Sequence, residues 1–251
     1  MEKFEPLDKS EALAELEDYW RNCNRCPLSK TRMNNPILGM GPNNADIFLV
    51  GSSPGVDEER QGLSFVGEAG DLIDRACFIL GMERDMLWVT NTVACRPPDF
   101  SKPERTRDPG SEEIGACRPR LWDEIYAIDP ILIVTLGSVA TKNLCGPQIQ
   151  VSKHRGHIYD VKIPSRYRNT ITYPAMTTWH PSSVMKKLDI RQGEDWPIIT
   201  KKDLLCPSPD NSFAQFMSDI YHAMEAVAYT KALHEGTALP PFIQELASYR
   251  P

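Results

Sequence analysis

Apolar positions along this chain follow two periodicities, and their alternation sets the expected architecture. Over residues 8–22, Leu13, Leu16, Tyr19 and Trp20 recur on one helical face and predict an amphipathic helix. The run Asp46-Ile-Phe-Leu-Val50 is short, apolar and bounded by turn residues, the pattern of a buried strand. Leu72, Ile73, Ala76, Ile79 and Leu80 predict a helix over 68–81 that stops at Gly81. Leu87–Thr90 reads as a second strand, delivering Asn91 at its end. Residues 96–116, rich in proline and charge, read as a long loop, with a helix from Cys117 to about Ile128. Ile131–Leu136 is the strongest strand signal, followed by Gly137 and a helix from Ser138 to about Leu144. A β-rich segment over about 157–178 ends at Trp179-His180-Pro181-Ser182-Ser183; a helix over 210–235 and a proline-containing tail over 236–251 complete the chain. Strands alternating with helices predict an α/β fold built on a parallel, helix-covered sheet.

At 251 residues, 41% hydrophobic and 25% charged, the chain has the composition of a globular protein with a large core. One domain over 1–251 is expected, with an N-terminal helix at 8–22, a core over about 23–200 and a C-terminal helical extension over about 205–251. No apolar run approaches the ~20 residues of a membrane span, and the charged N-terminus lacks a signal peptide's apolar centre. A cytoplasmic, monomeric protein is expected. The formal charge of −6 argues against a strongly basic nucleic-acid surface, although a small cationic groove can coexist with acidic flanks.

Three loops follow three of the strands: Gly51–Glu59, Asn91–Pro98 and His180–Ser183. In a parallel sheet these loops share one edge, where ligands of open α/β folds bind. Taken singly, an Asn at a strand end is an ordinary turn residue, a His-Pro-Ser an ordinary helix cap, and Phe65 an ordinary core aromatic. Of the seven cysteines, Cys23 and Cys26 form a Cys-x-x-Cys pair, with Cys95 and Cys117 downstream; Cys77, Cys145 and Cys206 read as incidental. Four such thiols suit an iron–sulfur cluster or a zinc ion, and a disulfide framework is not expected.

Order and spacing lift these features together. The chain resembles the iron–sulfur (family 4) uracil-DNA glycosylases from about Cys23 to about Ser183. The resemblance rests on Cys23-x-x-Cys26 with Lys30-Thr-Arg32, Gly51-x-x-Pro-Gly55, Gly62-x-x-Phe-Val-Gly-x-Ala-Gly70 and Thr90-Asn-x-Val-x-Cys-Arg-Pro-Pro98. It continues through Cys117, Gly137, Arg155-Gly156 and His180-Pro-Ser182. It implies a three-layer αβα fold with a central, mostly parallel sheet, and a monofunctional enzyme that flips a pyrimidine nucleotide out of single- or double-stranded DNA and hydrolyses its N-glycosidic bond. By resemblance, Phe65 stacks on the base, Asn91 reads its Watson–Crick edge, His180 donates to O2, and the Gly51-Ser52-Ser53-Gly55 loop approaches the ring. Gly67, Arg155, Ser182 and Ser183 are the implied phosphate contacts, and a [4Fe–4S] cluster on Cys23, Cys26, Cys95 and Cys117, or zinc in its place, braces the loops.

The chain departs from the family where Ser52 stands in place of an acid and Ser53 in place of the aspartate of related branches, leaving Asp57 and Glu58 as the nearby carboxylates. The segment between Cys95 and Cys117 is also longer than the family pattern. The resemblance implies uracil as the base, with Glu58 at the acidic position that forms the wall beside C5. The shorter Ser52 raises a wider pocket for a 5-modified pyrimidine, such as glucosylated hydroxymethylcytosine in an anti-phage role. A non-catalytic DNA-binding relative and a cluster-based electron carrier are the alternatives of other classes; neither explains Phe65, Asn91 and His180 together. His154 reads as a solvated or DNA-facing residue.

Overall fold

The computed structural model describes residues 8–164, 169–188 and 196–238. The tail expected over 236–251 lies outside them from residue 239 onward, as does the chain's start through residue 7. Five strands form one sheet: β1 (Ile47–Gly51), β2 (Leu87–Asn91), β3 (Leu132–Leu136), β4 (Ile158–Ile163) and β5 (Ile171–Thr178), in the order β2-β1-β3-β5-β4. The first four in that order run parallel, and β4 closes the far edge antiparallel to β5. The three short apolar runs are strands because both of their faces are covered. Ile47, Leu49, Leu87, Val89, Leu132 and Val134 enter one core; Phe48, Val50, Trp88 and Ile133 enter the other.

Helices α1 (Lys9–Arg21), α4 (Ser111–Ile128) and α5 (Gly137–Leu144) accompany the second core. The first core is covered by α3 (Glu68–Leu80), α7 (Pro181–Leu188), α8 (Lys201–Leu205) and α9 (Ser212–Glu235). Two short helices, α2 (Val56–Gln61) and α6 (Val151–His154), lie in connections. The αβα layering expected from the chain is the one observed. The C-terminal helix is part of that architecture: Phe213, Phe216, Met217 and Ile220 are buried against the sheet, each such side chain contributing roughly 1.5–3 kcal/mol.

Helix α4 begins six residues earlier than expected. Gly110 caps it by donating its N–H to Glu113 (2.7 Å), and Glu113 is itself paired with Arg107 (2.6 Å). Pro119 lies inside the helix. A proline there crowds the carbonyl four residues before it, and Gly115 at that position adds no side chain to the crowding.

Candidate active site at the strand ends

Four parallel strands end side by side, at Asn91, Gly51, Leu136 and Thr178. Gly51 pairs with Asn91, and Leu136 with Thr178. The β1–β2 ladder continues past the strands. Thr92 donates its N–H (2.9 Å) and hydroxyl (2.8 Å) to the Gly51 carbonyl, and the Val93 N–H donates to Ser52 (3.2 Å). At about 4.8 Å per strand spacing, the row of strand ends from β2 to β5 is roughly 14 Å wide.

On the β2 side, a Cβ added at Gly51 would lie 2.5 Å from Asn91 Oδ1 and 2.8 Å from Phe65 Cζ, so amide and ring meet over a backbone that must lack a side chain. Asn91 is buried, and among the described residues no hydrogen bond holds its side-chain amide. Phe65 holds a left-handed backbone (φ 55°), strain of order 1–3 kcal/mol for a residue with a side chain. It is fixed from both sides: the Ser64 hydroxyl donates to the Leu38 carbonyl (3.0 Å), and Gly70 approaches the Phe65 carbonyl so closely that any Cβ would collide at 1.9 Å.

On the β5 side, His180 sits against Gly137, which must be glycine twice over: its φ is +79°, and an added Cβ would lie 2.7 Å from His180 Cβ. The Ser182 N–H donates to His180 Nδ1 (3.2 Å), which places the ring proton on Nε2. Burial pushes the imidazole down to about 4, with Asp108 opposing the shift and Lys186 adding to it. The ring is therefore neutral at physiological pH and still a donor. Thr178 and Trp179, just before it, are pinned by α9. Thr178 Oγ1 donates to Asp219 (2.6 Å) and Trp179 Nε1 to Gln215 (2.7 Å). These two acceptors were missed from the sequence, although a Gln and an Asp four residues apart in an apolar helix are a readable signal.

Several residues expected to face DNA are committed elsewhere. Glu58 is buried and accepts the Gly55 N–H on Oε2 (3.0 Å) and the Gly67 N–H on Oε1 (3.1 Å). It clamps the two glycine loops together, so the Gly67 amide, expected at a phosphate, is taken. Arg155, also expected at a phosphate, donates to buried Asp219 (2.5 Å) and to the Gln215 carbonyl (3.2 Å). Burial raises the Asp219 pKa, while Thr178 and Arg155 draw it back. Asp57 is exposed near Gly67 and pairs with Arg60 at 3.3 Å. The Ser52 hydroxyl is buried with no hydrogen-bond partner among the described residues, and Ser53 is partly buried beside it. Ser182 and Ser183 stand at the N-terminus of α7, the polarity that receives anions. His154 bonds Gln150 and edges onto Tyr159 of β4, at the opposite edge of the sheet from Asn91.

The four cysteines converge. Cys23, Cys26, Cys95 and Cys117 line one pocket with Trp20 and Arg120. The Ala94 N–H donates to Cys117 Sγ (3.3 Å), and Arg32 reaches Cys95 Sγ (3.9 Å). Among the described residues no three His, Cys, Asp or Glu side chains are set to hold a single ion. Cys77 and Cys145 lie apart, pushed by burial up to about 11, and Cys206 is exposed. The pocket adjoins the strand ends, because Cys95 follows Asn91 by four residues and Arg96 pairs with Glu59 of α2 at 2.6 Å.

The layered α/β sheet therefore carries an amide, an aromatic ring and an imidazole along the edge where its parallel strands end. A family model described as the uracil DNA glycosylase superfamily matches residues 38–196, more than half of the chain. The chain belongs to that superfamily. Among similar proteins, the type-4 uracil-DNA glycosylase of Sulfurisphaera tokodaii is 35% identical over 187 residues, 72% of this chain and 80% of the relative. That of Saccharolobus solfataricus is 34% identical over 199 residues, covering 77% and 87% respectively. That of Thermotoga maritima is 33% identical over 153 residues, covering 61% and 76%.

Proposed function

We propose that this protein is a monofunctional uracil-DNA glycosylase acting as one domain and one copy. The observation that carries the reading is the strand-end row: Asn91 and Phe65 meeting over Gly51 on one side, and a neutral His180 with its proton on Nε2 on the other. A base in the duplex is out of reach, so the nucleotide is extruded, at a cost of a few kcal/mol. Phe65 supplies a stacking face, and the Asn91 amide pairs with uracil's N3–H and O4. As the C1′–N1 bond breaks, its electron pair passes to N1 and spreads to O2, where His180 Nε2–H donates. A preorganised donor of that kind contributes roughly 3–4 kcal/mol. Water adds to C1′ and its proton passes to bulk water, balancing the base that leaves as the anion; with both Glu58 oxygens engaged, exposed Asp57 is the carboxylate left to orient the attacking water.

Ser182 and Ser183 at the start of α7 serve as the phosphate contacts. The names of the relatives favour uracil over a bulky modified base, and the retained Asn91 and His180 favour an enzyme over a binding-only relative. Cys23, Cys26, Cys95 and Cys117 hold a [4Fe–4S] cluster, which braces the loops around the strand-end row when bound. The donor set fits it. Four thiols line one pocket, and the Arg120 guanidinium, which makes no Nε hydrogen bond to nitrogen or oxygen, faces the Cys117 sulfur there, suited to an anionic, sulfur-rich group. Zinc is the alternative occupant of the same four thiols.

Oligonucleotides carrying uracil, thymine, hypoxanthine or a glucosylated hydroxymethylcytosine test the reading. Uracil alone is expected to yield alkali-labile sites. Release of the bulky base but not uracil, or strand scission without alkali, would overturn it.

A further inference from the structure

Arg120 is a fully buried cation, and a buried ion pair is a weak source of stability. What it holds is therefore the more informative question. One end of its guanidinium grips the strand that carries Asn91. Nη1 donates to Thr90 Oγ1 (2.9 Å) and Glu124 Oε1 (2.8 Å), while Nη2 donates to the main-chain carbonyls of Asn91 and of Thr92 (3.2 Å). Glu124 is itself fixed by the Gly39 N–H (3.2 Å) and Trp88 Nε1 (3.4 Å). The remaining donor, Nε–H, is buried and makes no hydrogen bond to nitrogen or oxygen; the guanidinium instead faces the Cys117 thiol in the pocket of the four cysteines. A guanidinium is a rigid plane, so a contact at Nε sets the angle of the edge that holds Asn91.

We propose that Arg120 is a positioning residue joining the cysteine site to the base slot. Its Nε–H donates to sulfur at the group held by Cys23, Cys26, Cys95 and Cys117, and its Nη2 edge fixes the Asn91 carbonyl. Occupancy of the cysteine site then sets how Asn91 meets the base. This rests on the proposed reading of those cysteines and of Asn91. A purely structural arginine would have no need to face a thiol in that pocket.

The test uses anaerobically purified, metal-loaded protein as wild type, as Arg120→Lys, and as the neutral pair Arg120→Met with Glu124→Gln, which leaves no unpaired buried charge. Iron content, the midpoint potential of the bound group, kcat and KM on uracil-DNA are measured. Both variants are expected to keep their iron, to shift the potential negative because hydrogen bonds to sulfur favour the reduced form, and to lose kcat at least tenfold with KM within twofold. Should the neutral pair fail to fold, Arg120→Lys, which keeps the buried charge, carries both readouts. An unchanged potential or an unchanged kcat in an iron-containing variant overturns the proposal. A wild type that holds iron yet releases no uracil defeats the proposed activity instead, while the potential still reports on the Arg120 contact.

Discussion

The pH response of His180 follows from its surroundings. Protonation would put a charge into a buried ring and would force Nδ1, which accepts the Ser182 N–H at 3.2 Å, to become a second donor facing the first. A displacement from 6.5 to about 4 corresponds to roughly 3 kcal/mol against the imidazolium. Between those values the unfolded chain binds the proton and the folded chain does not. The contribution to stability is therefore complete above about 6.5 and is lost as pH falls toward about 4. For catalysis the same energy keeps a neutral Nε2–H donor in place, so single-turnover release of uracil should be level from about pH 8 down to about 5.5. His180→Ala should lower that rate by about 10²–10³ without changing the profile's shape, and should remove the acid-side loss of stability. The assay is quenched-flow release at saturating enzyme, paired with NMR titration of the His180 ring. An inflection near 6.5 that disappears in His180→Ala would refute the reasoning, because it would show an imidazole that titrates like one in water.

Gly51→Ala would place a methyl 2.5 Å from Asn91 Oδ1 and 2.8 Å from Phe65 Cζ, so uracil release should fall at least a hundredfold (about 3 kcal/mol) with the melting temperature nearly unchanged; equal activity would show that amide and ring need not meet there. Glu58→Gln sets an amide NH₂ against one of the Gly55 and Gly67 N–H groups, which should cost roughly 1–3 kcal/mol of stability and lower the rate equally at every pH. A rate deficit that shrinks as pH rises would instead make Glu58 the base. Cys95→Ala should lose bound iron and solubility, whereas Cys77→Ala, in the apolar core, should keep the wild-type iron content by colorimetric assay.

The sheet was legible because its strands are short apolar runs buried on both faces, so Ile47–Gly51, Leu87–Asn91 and Leu132–Leu136 stand out against the polar loops around them. Gly51, Phe65, Asn91 and His180 were legible because each sits next to such a strand or in a glycine-marked turn. Partnership across the chain was not. Nothing near Glu58 in sequence says that both oxygens accept main-chain N–H groups, and nothing near Arg155 points to Asp219, 64 residues away. Helix α9 hides its own role. Every residue from Ser212 to Tyr221 is buried, so polar Gln215, Ser218 and Asp219 sit where an amphipathic reading expects solvent. The start of α4 was obscured by the proline- and charge-rich run before it, whose loop pattern reads on into the helix's first turns.

These buried partnerships also bear on how a chain of formal charge −6 can receive DNA. Glu59 with Arg96, Glu113 with Arg107, Glu124 with Arg120 and Asp219 with Arg155 form close pairs of opposite charge, and the Glu58 carboxylate faces two amide donors. Each pair is nearly neutral when viewed from a few ångströms away, and at physiological salt exposed charges beyond about 8 Å are screened. On the proposed reading, a phosphate arriving at α7 responds to what lies within that distance: the hydroxyls of Ser182 and Ser183 at the helix start, with Lys186 and Lys187 one turn on. Glu58, Glu59, Glu113 and Glu124 each accept a main-chain N–H as well, so these carboxylates fix backbone. That use of charge suits the proposed cleavage, in which positioned donors matter more than a strong general base.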